Sequence, residues 1–242
     1  MSKRKILTLA MSVMMIAILA VGGSLAYFMD TDNETNVFTV GNVEIDLIED
    51  FVQGSKLFPG VDINKDVFVK NTGSENAYVR VHVAFPSVLD DGMPTLNASE
   101  NSLHWNFTAA SVQEGKWSQL QNSEQVGPNA SYPNWPGNGG TYNTYTTNVG
   151  GVDYNVYVIT YETVLGPGET TPEAAITNVY MDTKVTNEMV TEFKKALGDE
   201  WKILVWAEGG QEASFTDPYV ALNTQFGDPM KAGYVSPWNQ GK

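Results

Sequence analysis

The side chains best suited to acid–base or metal chemistry in this chain are two histidines, His82 and His104. Neither belongs to a His-Glu-x-x-His motif, so their spacing does not predict a zinc site. His82 falls on the polar side of an alternating strand pattern, and His104 precedes Trp105 in an irregular stretch. We interpret each as an ordinary surface histidine, and we expect no bound metal and no zinc-dependent catalysis.

Other catalytic groups are equally scarce. The chain has no cysteine, which excludes disulfides, thiolate metal ligands and a cysteine nucleophile, and it has no Gly-x-Ser-x-Gly elbow. The adjacent acids Asp90-Asp91 and Glu49-Asp50 are predicted to lie in turns as solvated charges, not as a glycosidase pair. Asp30–Glu34 resembles the start of a calcium loop, but Thr35 and Gly41 stand where that loop requires glycine and glutamate. The sequence therefore predicts no catalytic residue, no cofactor and no enzyme.

The charge balance narrows the range of partners. Lysine and arginine number 14 against 28 aspartates and glutamates, a formal net charge of −14. Such a surface repels the phosphates of nucleic acid and of anionic lipid. We therefore expect neither nucleic acid nor a membrane surface as a partner.

The N-terminus has the pattern of a secretion signal. A basic head at residues 3–5 precedes an apolar run over residues 6–21, and Ser24 and Ala26 are the small residues that a signal peptidase requires. The apolar run is shorter than the ~20 residues that span a bilayer as a helix. These features predict a signal peptide over residues 1–26, cut between Ala26 and Tyr27. The product would be a secreted protein of the extracellular matrix or cell surface, with no stable membrane anchor.

The rest of the chain, residues 27–242, is predicted to be one all-β domain. Apolar and polar residues alternate over residues 43–47, 63–69 and 79–85, the period of half-buried strands. Residues 154–164 are apolar at both parities, which indicates a strand covered on both faces. Further strands are predicted at residues 179–185 and 201–207. Many short strands separated by Gly/Pro turns favour a β-sandwich of the jelly-roll type.

One short helix and one long irregular insertion complete the predicted domain. Met189, Val190, Phe193 and Leu197 recur at helical spacing, and Gly198 is a typical helix end. The insertion covers about residues 90–150, with a short strand pair near residues 105–116 and a surface loop over residues 127–148.

Aromatic residues are concentrated in that surface loop. Tyr132, Trp135, Tyr142 and Tyr145 lie among Gly, Asn and Pro. They are interpreted as a cover for the sandwich, and contact with a matrix polysaccharide is an alternative hypothesis.

The segment that cleavage would leave at the new N-terminus, residues 27–40, is rich in strand-forming residues. Its apolar members are Tyr27, Phe28, Val37, Phe38 and Val40. They could form the first strand of their own domain. They could also pair with the exposed sheet edge of a second copy, because an edge offers unpaired N–H and C=O groups.

Several motifs resemble a known family. Gly23-Ser24-Leu25-Ala26-Tyr27-Phe28 and Asn36-Val37-Phe38-Thr39-Val40-Gly41 are similar to the start of exported proteins processed by the signal peptidase SipW. Pro59-Gly60, Asn71-Thr72-Gly73-Ser74 and Tyr78-Val79-Arg80-Val81 resemble later landmarks of the TasA/camelysin family. Residues 201–211 are similar to the closing strand of that family, and nothing between about 90 and 175 is recognised.

This resemblance implies a jelly-roll subunit of biofilm matrix fibres. The N-terminal segment of one subunit would complete the sheet of the next by donor-strand exchange, giving a head-to-tail homopolymer. A matrix polysaccharide and a minor fibre subunit are further candidate partners. Two alternatives stay open: a cell-surface metallopeptidase of the camelysin type, and a monomeric carbohydrate-binding module.

Overall fold

The alternation of apolar and polar residues folds into antiparallel sheets in the computed structural model, which describes residues 42–91, 100–106, 117–118 and 144–240. Within these ranges the chain forms ten strands and two α-helices. The strands are β1 (Ile45–Asp50), β2 (Asp62–Asn64), β3 (Asp66–Asn71), β4 (Ala77–Pro86), β5 (Leu103–Asn106), β6 (Trp117–Ser118), β7 (Thr144–Val149), β8 (Val152–Leu165), β9 (Asn178–Met181) and β10 (Leu204–Gln211). The helices are α1 (Asn187–Leu197) and α2 (Pro218–Phe226).

One layer is a five-stranded sheet built around β8. Strand β4 pairs with one edge of β8, and β10 pairs with the far edge of β4. The other edge of β8 pairs first with β7 and then with β6. A two-residue turn joins β7 to β8 at Gly150 and Gly151, whose φ values of 62° and 90° favour glycine and match the twist of a hairpin.

The second layer contains two smaller antiparallel sheets, β1–β3 and β2–β9–β5. Backbone hydrogen bonds join them, because residues 169–177 run beside β3; examples are Val67 N–H to Ile176 O at 3.2 Å and Thr171 N–H to Val69 O at 2.9 Å. The two layers enclose an apolar core, so this part of the chain is an all-β sandwich.

Strand β4 is buried along its whole length, because both of its faces are covered. Val79, Val81, Val83 and Phe85 point into the core between the two layers. The alternate residues face away from that core, where α2 and residues 227–240 form a third, outer layer. Tyr78, for example, packs with Ala221 and Leu222 of α2.

The two helices begin and end with recognisable caps. The Thr186 side chain accepts a hydrogen bond from Met189 N–H at the start of α1, and Gly198 ends that helix with φ 80°. Asp217 caps α2 by accepting from two backbone N–H groups, and Pro218 occupies the first turn. Neither helix, nor any other in the described ranges, is long and apolar enough to cross a bilayer.

The predicted all-β sandwich is confirmed, and so are the strand covered on both faces (β8) and helix α1. The prediction of a single helix missed α2. The predicted loop over residues 127–148 is wrong at its end, since Thr144–Val149 forms β7. Strand β5 pairs with β9, and residues 107–116, which would supply the partner in the predicted strand pair, lie outside the described residues. The last strand begins at Leu204, three residues later than predicted.

Two predictions about acidic pairs are also wrong. Asp90 is buried, where it accepts hydrogen bonds from Tyr157 Oη at 2.8 Å and Asn155 Nδ2 at 3.1 Å. This burial raises the pKa of the Asp90 carboxyl. Glu49 and Asp50 belong to β1 and not to a turn.

Candidate functional site

The chemistry-bearing residues of the chain meet on the outer face of the five-stranded sheet. Arg80 and His82 alternate with core residues along β4, and Glu208 lies on the paired strand β10. Together with Tyr145 of β7 they form what we call the polar layer: Arg80, His82, Tyr145 and Glu208. Helix α2 and residues 227–240 cover it, so the exposed fractions of Arg80, His82 and Glu208 are 1%, 0% and 4%.

Arg80 donates hydrogen bonds to three other residues in and around the polar layer. Its Nε donates to Glu208 Oε2, its Nη1 to Asn223 Oδ1 at 2.8 Å and its Nη2 to the Gly227 carbonyl at 3.0 Å. The last two acceptors belong to α2 and to the residue that follows it. Arg80 therefore fastens the outer layer to the sheet.

Both ring nitrogens of His82 have partners. Nε2 lies 3.1 Å from Glu208 Oε2 and Nδ1 lies 3.1 Å from Tyr145 Oη. The ring is parallel to that of Tyr234, with centroids 6.5 Å apart. Burial lowers the pKa of His82, against the opposing effect of Glu208. The neutral ring fits this site, with Nε2–H donating to Glu208 and Nδ1 accepting from Tyr145.

Glu208 stays ionised in this buried position. Burial by itself would raise its pKa, but the hydrogen bonds from His82 and Arg80 and the charge of the guanidinium outweigh that effect and lower it. One carboxylate thus faces one guanidinium and one neutral imidazole. The arrangement is a satisfied structural network, and a substrate would have to break it to reach any of these groups.

The prediction of a surface histidine at position 82 is therefore wrong. The polar parity of β4 is real, but α2 and the residues after it cover that face. The sequence does contain signals for this covering helix: Asp217-Pro218 is a typical helix start and Gly227 a typical helix end. They were missed because no helix or strand was predicted in this region. His104 is partly buried, with Nε2 2.7 Å from Asp182 Oδ2 and its ring stacked on that of Tyr180 at 4.9 Å.

These two histidines do not fit a shared metal ion. His82 belongs to the five-stranded sheet and uses both nitrogens within the polar layer, whereas His104 belongs to β5 of the opposite layer. The described part of the chain contains no group of three or more His, Cys, Asp or Glu residues placed to hold a metal. Among these residues there is no set of side chains placed to bind a zinc ion.

A second feature is an apolar cleft of about 300 Å³ at one end of the sandwich. It opens where β1 ends and β10 begins, and we call it the cleft. Its apolar lining includes Phe51, Leu57, Ile63, Leu103, Val179 and Ile203. Glu49 and Lys65 form an ion pair at its wall, with 3.3 Å between Oε1 and Nζ, and Lys202 also lines it.

Strands β1 and β10 border the cleft as sheet edges. Strand β1 pairs with β3 on one side and β10 with β4 on one side; no described strand pairs with the other edge of either. At the far end the two strands approach closely, since a Cβ placed on Gly209 would lie 2.6 Å from Ile45 Cγ2. They are therefore closed at that end and separated at the cleft.

The chain enters the described domain at the end opposite the cleft. Ser74 N–H donates to Asn42 O at 2.9 Å, and Thr72 N–H donates to Glu44 O at 2.8 Å. Gly73 is required here, because a Cβ at this position would lie 2.3 Å from Asn42 O. The β3–β4 turn thus holds the residues before β1, and β1 runs from this anchor towards the cleft.

The predicted signal cleavage at Ala26 and Tyr27 lies outside the described residues. So do the predicted polymerisation residues Tyr27, Phe28, Val37, Phe38 and Val40, and three of the loop aromatics. Both predictions stay predictions. Tyr145 is the loop aromatic that the structure describes, and its hydroxyl contacts His82 beneath the outer layer.

The comparison with known families gives a match at the start of the chain. Residues 2–85 match the family described as camelysin metallo-endopeptidase, and no curated protein matches the chain. The matched stretch includes the motifs at residues 23–28, 36–41, 59–60, 71–74 and 78–81 that carried the predicted resemblance. For this first third of the chain the predicted relationship to the TasA/camelysin family is confirmed.

Proposed function

We propose that this protein is a secreted structural subunit that self-assembles into extracellular biofilm matrix fibres. The N-terminal segment of one copy, residues 27–40, inserts along the open sheet edges of the next copy. The observation that carries the proposal is the cleft, an apolar opening between two strand edges of the sandwich.

The two edges with which no described strand pairs supply backbone groups for an incoming strand. A strand added to β1 or β10 forms a ladder of N–H to C=O hydrogen bonds, and the pockets between side chains select its apolar residues. The cleft lining is mainly apolar, so burying Phe or Val side chains there is favourable by about 25 cal/mol for each Å² removed from water.

The positions of the anchor and the cleft support assembly between copies. The chain leaves the domain at Asn42, held by the β3–β4 turn, whereas the cleft lies beyond the other end of β1 near Glu49 and Phe51. At about 3.3 Å per residue the two points are roughly 25 Å apart along β1. A donor at one end and an acceptor at the other form a heterologous contact, which repeats head to tail.

Electron microscopy of residues 27–242 beside a variant lacking residues 27–40 tests the assembly route. We expect filaments from the first and folded monomers from the second. Filaments from both variants would place the contact elsewhere and would contradict the proposal.

Disulfide trapping tests the acceptor, and the absence of native cysteine removes any background. Gln53→Cys, in the cleft lining, is combined in turn with Thr31→Cys, Thr35→Cys or Thr39→Cys. We expect a ladder of covalent oligomers from at least one pair. The matched control replaces Gln53→Cys with Lys231→Cys, on the segment after α2, and should give no ladder. A cross-link confined to monomers would mean that the segment is the first strand of its own domain.

The description of the matched family favours metallopeptidase activity as a second candidate. It would require zinc ligands supplied at least in part by residues outside the described ranges. Metal analysis of purified protein separates the two functions, because a peptidase retains about one zinc per chain, whereas the fibre subunit needs none.

A further inference from the structure

The charges of the cleft are unusual for this protein. The chain has twice as many acidic residues as basic ones, yet the cleft lining contains two lysines and one glutamate. The glutamate, Glu49, is already paired with Lys65, whose side chain is 3% exposed. Lys202 is exposed, and no ion pair found among the described residues includes it. The cleft therefore offers one unneutralised cation on an acidic molecule.

The segment that would enter the cleft has the opposite charge. Asp30, Asp32 and Glu34 occupy alternate positions between the apolar residues Phe28 and Phe38. Alternate residues of a strand lie on one face, about 7 Å apart. In an extended conformation the segment presents three carboxylates in a row on one face, preceded by Phe28 and followed by Asn36 and Phe38.

We propose that Lys202 recruits the acidic stretch Asp30–Glu34 of a second copy and sets the register of its strand in the cleft. This inference rests on the proposed function, because it names the occupant of the same cleft. Two copies of so acidic a chain repel each other, and a cation at the point of entry offsets that repulsion. Alternation by itself leaves a strand free to slip by two residues, and a fixed charge at the rim favours the register that pairs it with a carboxylate.

The proposal predicts the rate and salt dependence of assembly. Charges at the rim of an interface act mainly on the association rate, and salt screens them. Filament elongation by the wild-type chain, residues 27–242, should slow as salt rises. Lys202→Glu should slow elongation by at least about tenfold at low salt and remove most of the salt dependence. Lys231→Glu is the matched control, since it makes the same change in net charge on an exposed side chain outside the cleft lining, and it should elongate nearly as the wild type does.

A charge exchange between copies gives the decisive test. The partner variant carries Asp30→Lys, Asp32→Lys and Glu34→Lys, and it should also elongate slowly alone. In an equimolar mixture, each Lys202→Glu cleft accepts the reversed segment, and each wild-type cleft accepts the wild-type segment of the other variant. We expect the mixture to elongate within about threefold of the wild-type rate as alternating filaments. Recovery also shows that both variants are folded.

Four results would overturn the inference. Lys202→Glu could elongate at the rate of the Lys231→Glu control, or the mixture could fail to recover. In both cases a disulfide ladder through Gln53→Cys would show that strand exchange itself persists, so only the role of the charge would fail. The absence of that ladder in the otherwise wild-type chain, or a cross-link confined to monomers, would overturn the proposed function and this inference together.

Discussion

Strand β10 borders two regions of opposite character. On its outer face Glu208 belongs to the polar layer, which is closed, linked by hydrogen bonds and less than 5% exposed at its three most polar side chains. At its start, Leu204 lines the cleft, which is open and mainly apolar. The residues most capable of chemistry are used to hold the fold together. The cleft, which is open to a partner, has few side chains suited to acid–base or metal chemistry.

The difference follows from the cost of burying charge. An ionised carboxylate is stable away from water only when cations and hydrogen bonds replace its hydration, so Arg80 and His82 are both engaged with Glu208 in the polar layer. The cleft incurs no such cost, and covering it removes apolar surface from water. Among the described residues, Arg80 and Glu208 thus serve the fold, and the cleft is an apolar surface open to a partner.

The largest effect should come from Arg80→Met. This change leaves the Glu208 carboxylate buried without its guanidinium and removes the links to Asn223 and Gly227. We expect a loss of about 3–5 kcal/mol in the free energy of unfolding, measured by urea denaturation. Lys194→Met breaks an exposed pair, Lys194–Asp199 at 3.3 Å, and should change little. Equal losses would mean that the polar layer contributes no more than a surface ion pair.

The next largest effect should be a dependence of the free energy of unfolding on pH. The pKa of His82 is lower in the folded than in the unfolded chain, so below about pH 6.5 the unfolded chain binds more protons. Stability should therefore fall as pH decreases from about 6.5, by at most about 1.4 kcal/mol per pH unit from this group. Arg80, Glu208, Tyr145 and Tyr234 are the titratable groups that face the ring.

His82→Gln keeps a donor and an acceptor in place and removes the titration. The difference between the two curves of stability against pH isolates this histidine from acids such as Asp90. We expect the variant to be flatter between pH 5 and 6.5, as measured by thermal unfolding. Parallel curves would show that His82 is not the source of the slope.

A smaller effect should follow removal of the cap that fastens the outer layer. Asp217 accepts from Tyr219 N–H at 2.8 Å and from Val220 N–H at 3.0 Å. Asp217→Ala should cost about 1 kcal/mol and increase amide hydrogen exchange in β10 and α2. Thr186→Ala removes the corresponding cap of α1 and should leave exchange in β10 unchanged. Increased exchange in β10 from the α1 variant would argue against α2 as the cover of the polar layer.

The smallest effect on stability should accompany a large effect on assembly. Ile63 lines the cleft and is only half-buried, so Ile63→Ala should reduce the free energy of unfolding by less than about 1 kcal/mol. Filament formation should nevertheless weaken clearly, because the donor segment loses part of its apolar contact. A variant that assembles normally while losing several kcal/mol of stability would reverse the roles assigned to the cleft and the polar layer.

Much of the fold could be predicted because it depends on local periodicity. The alternation in β1 and β4 and the helical spacing of Met189, Phe193 and Leu197 identified elements that the structure confirms. Helix α2 was missed although its cap and end signals are present, because only Tyr219, Ala221 and Leu222 give it a short apolar face. The candidate site was predicted poorly, since Asp90 and His82 looked like solvated groups.

The sequence by itself determined the strand periods, the first helix, the acidic charge and the family of residues 2–85. The tertiary structure decided which polar residues are buried. Arg80 meets Glu208 across 128 residues and Asn223 across 143, separations over which no local pattern reports a contact. A strand pattern shows that two faces differ, but only the packing of distant segments shows which face meets water. That is why His82 became part of the interior, and why no motif marks the cleft, an open apolar surface of the described domain.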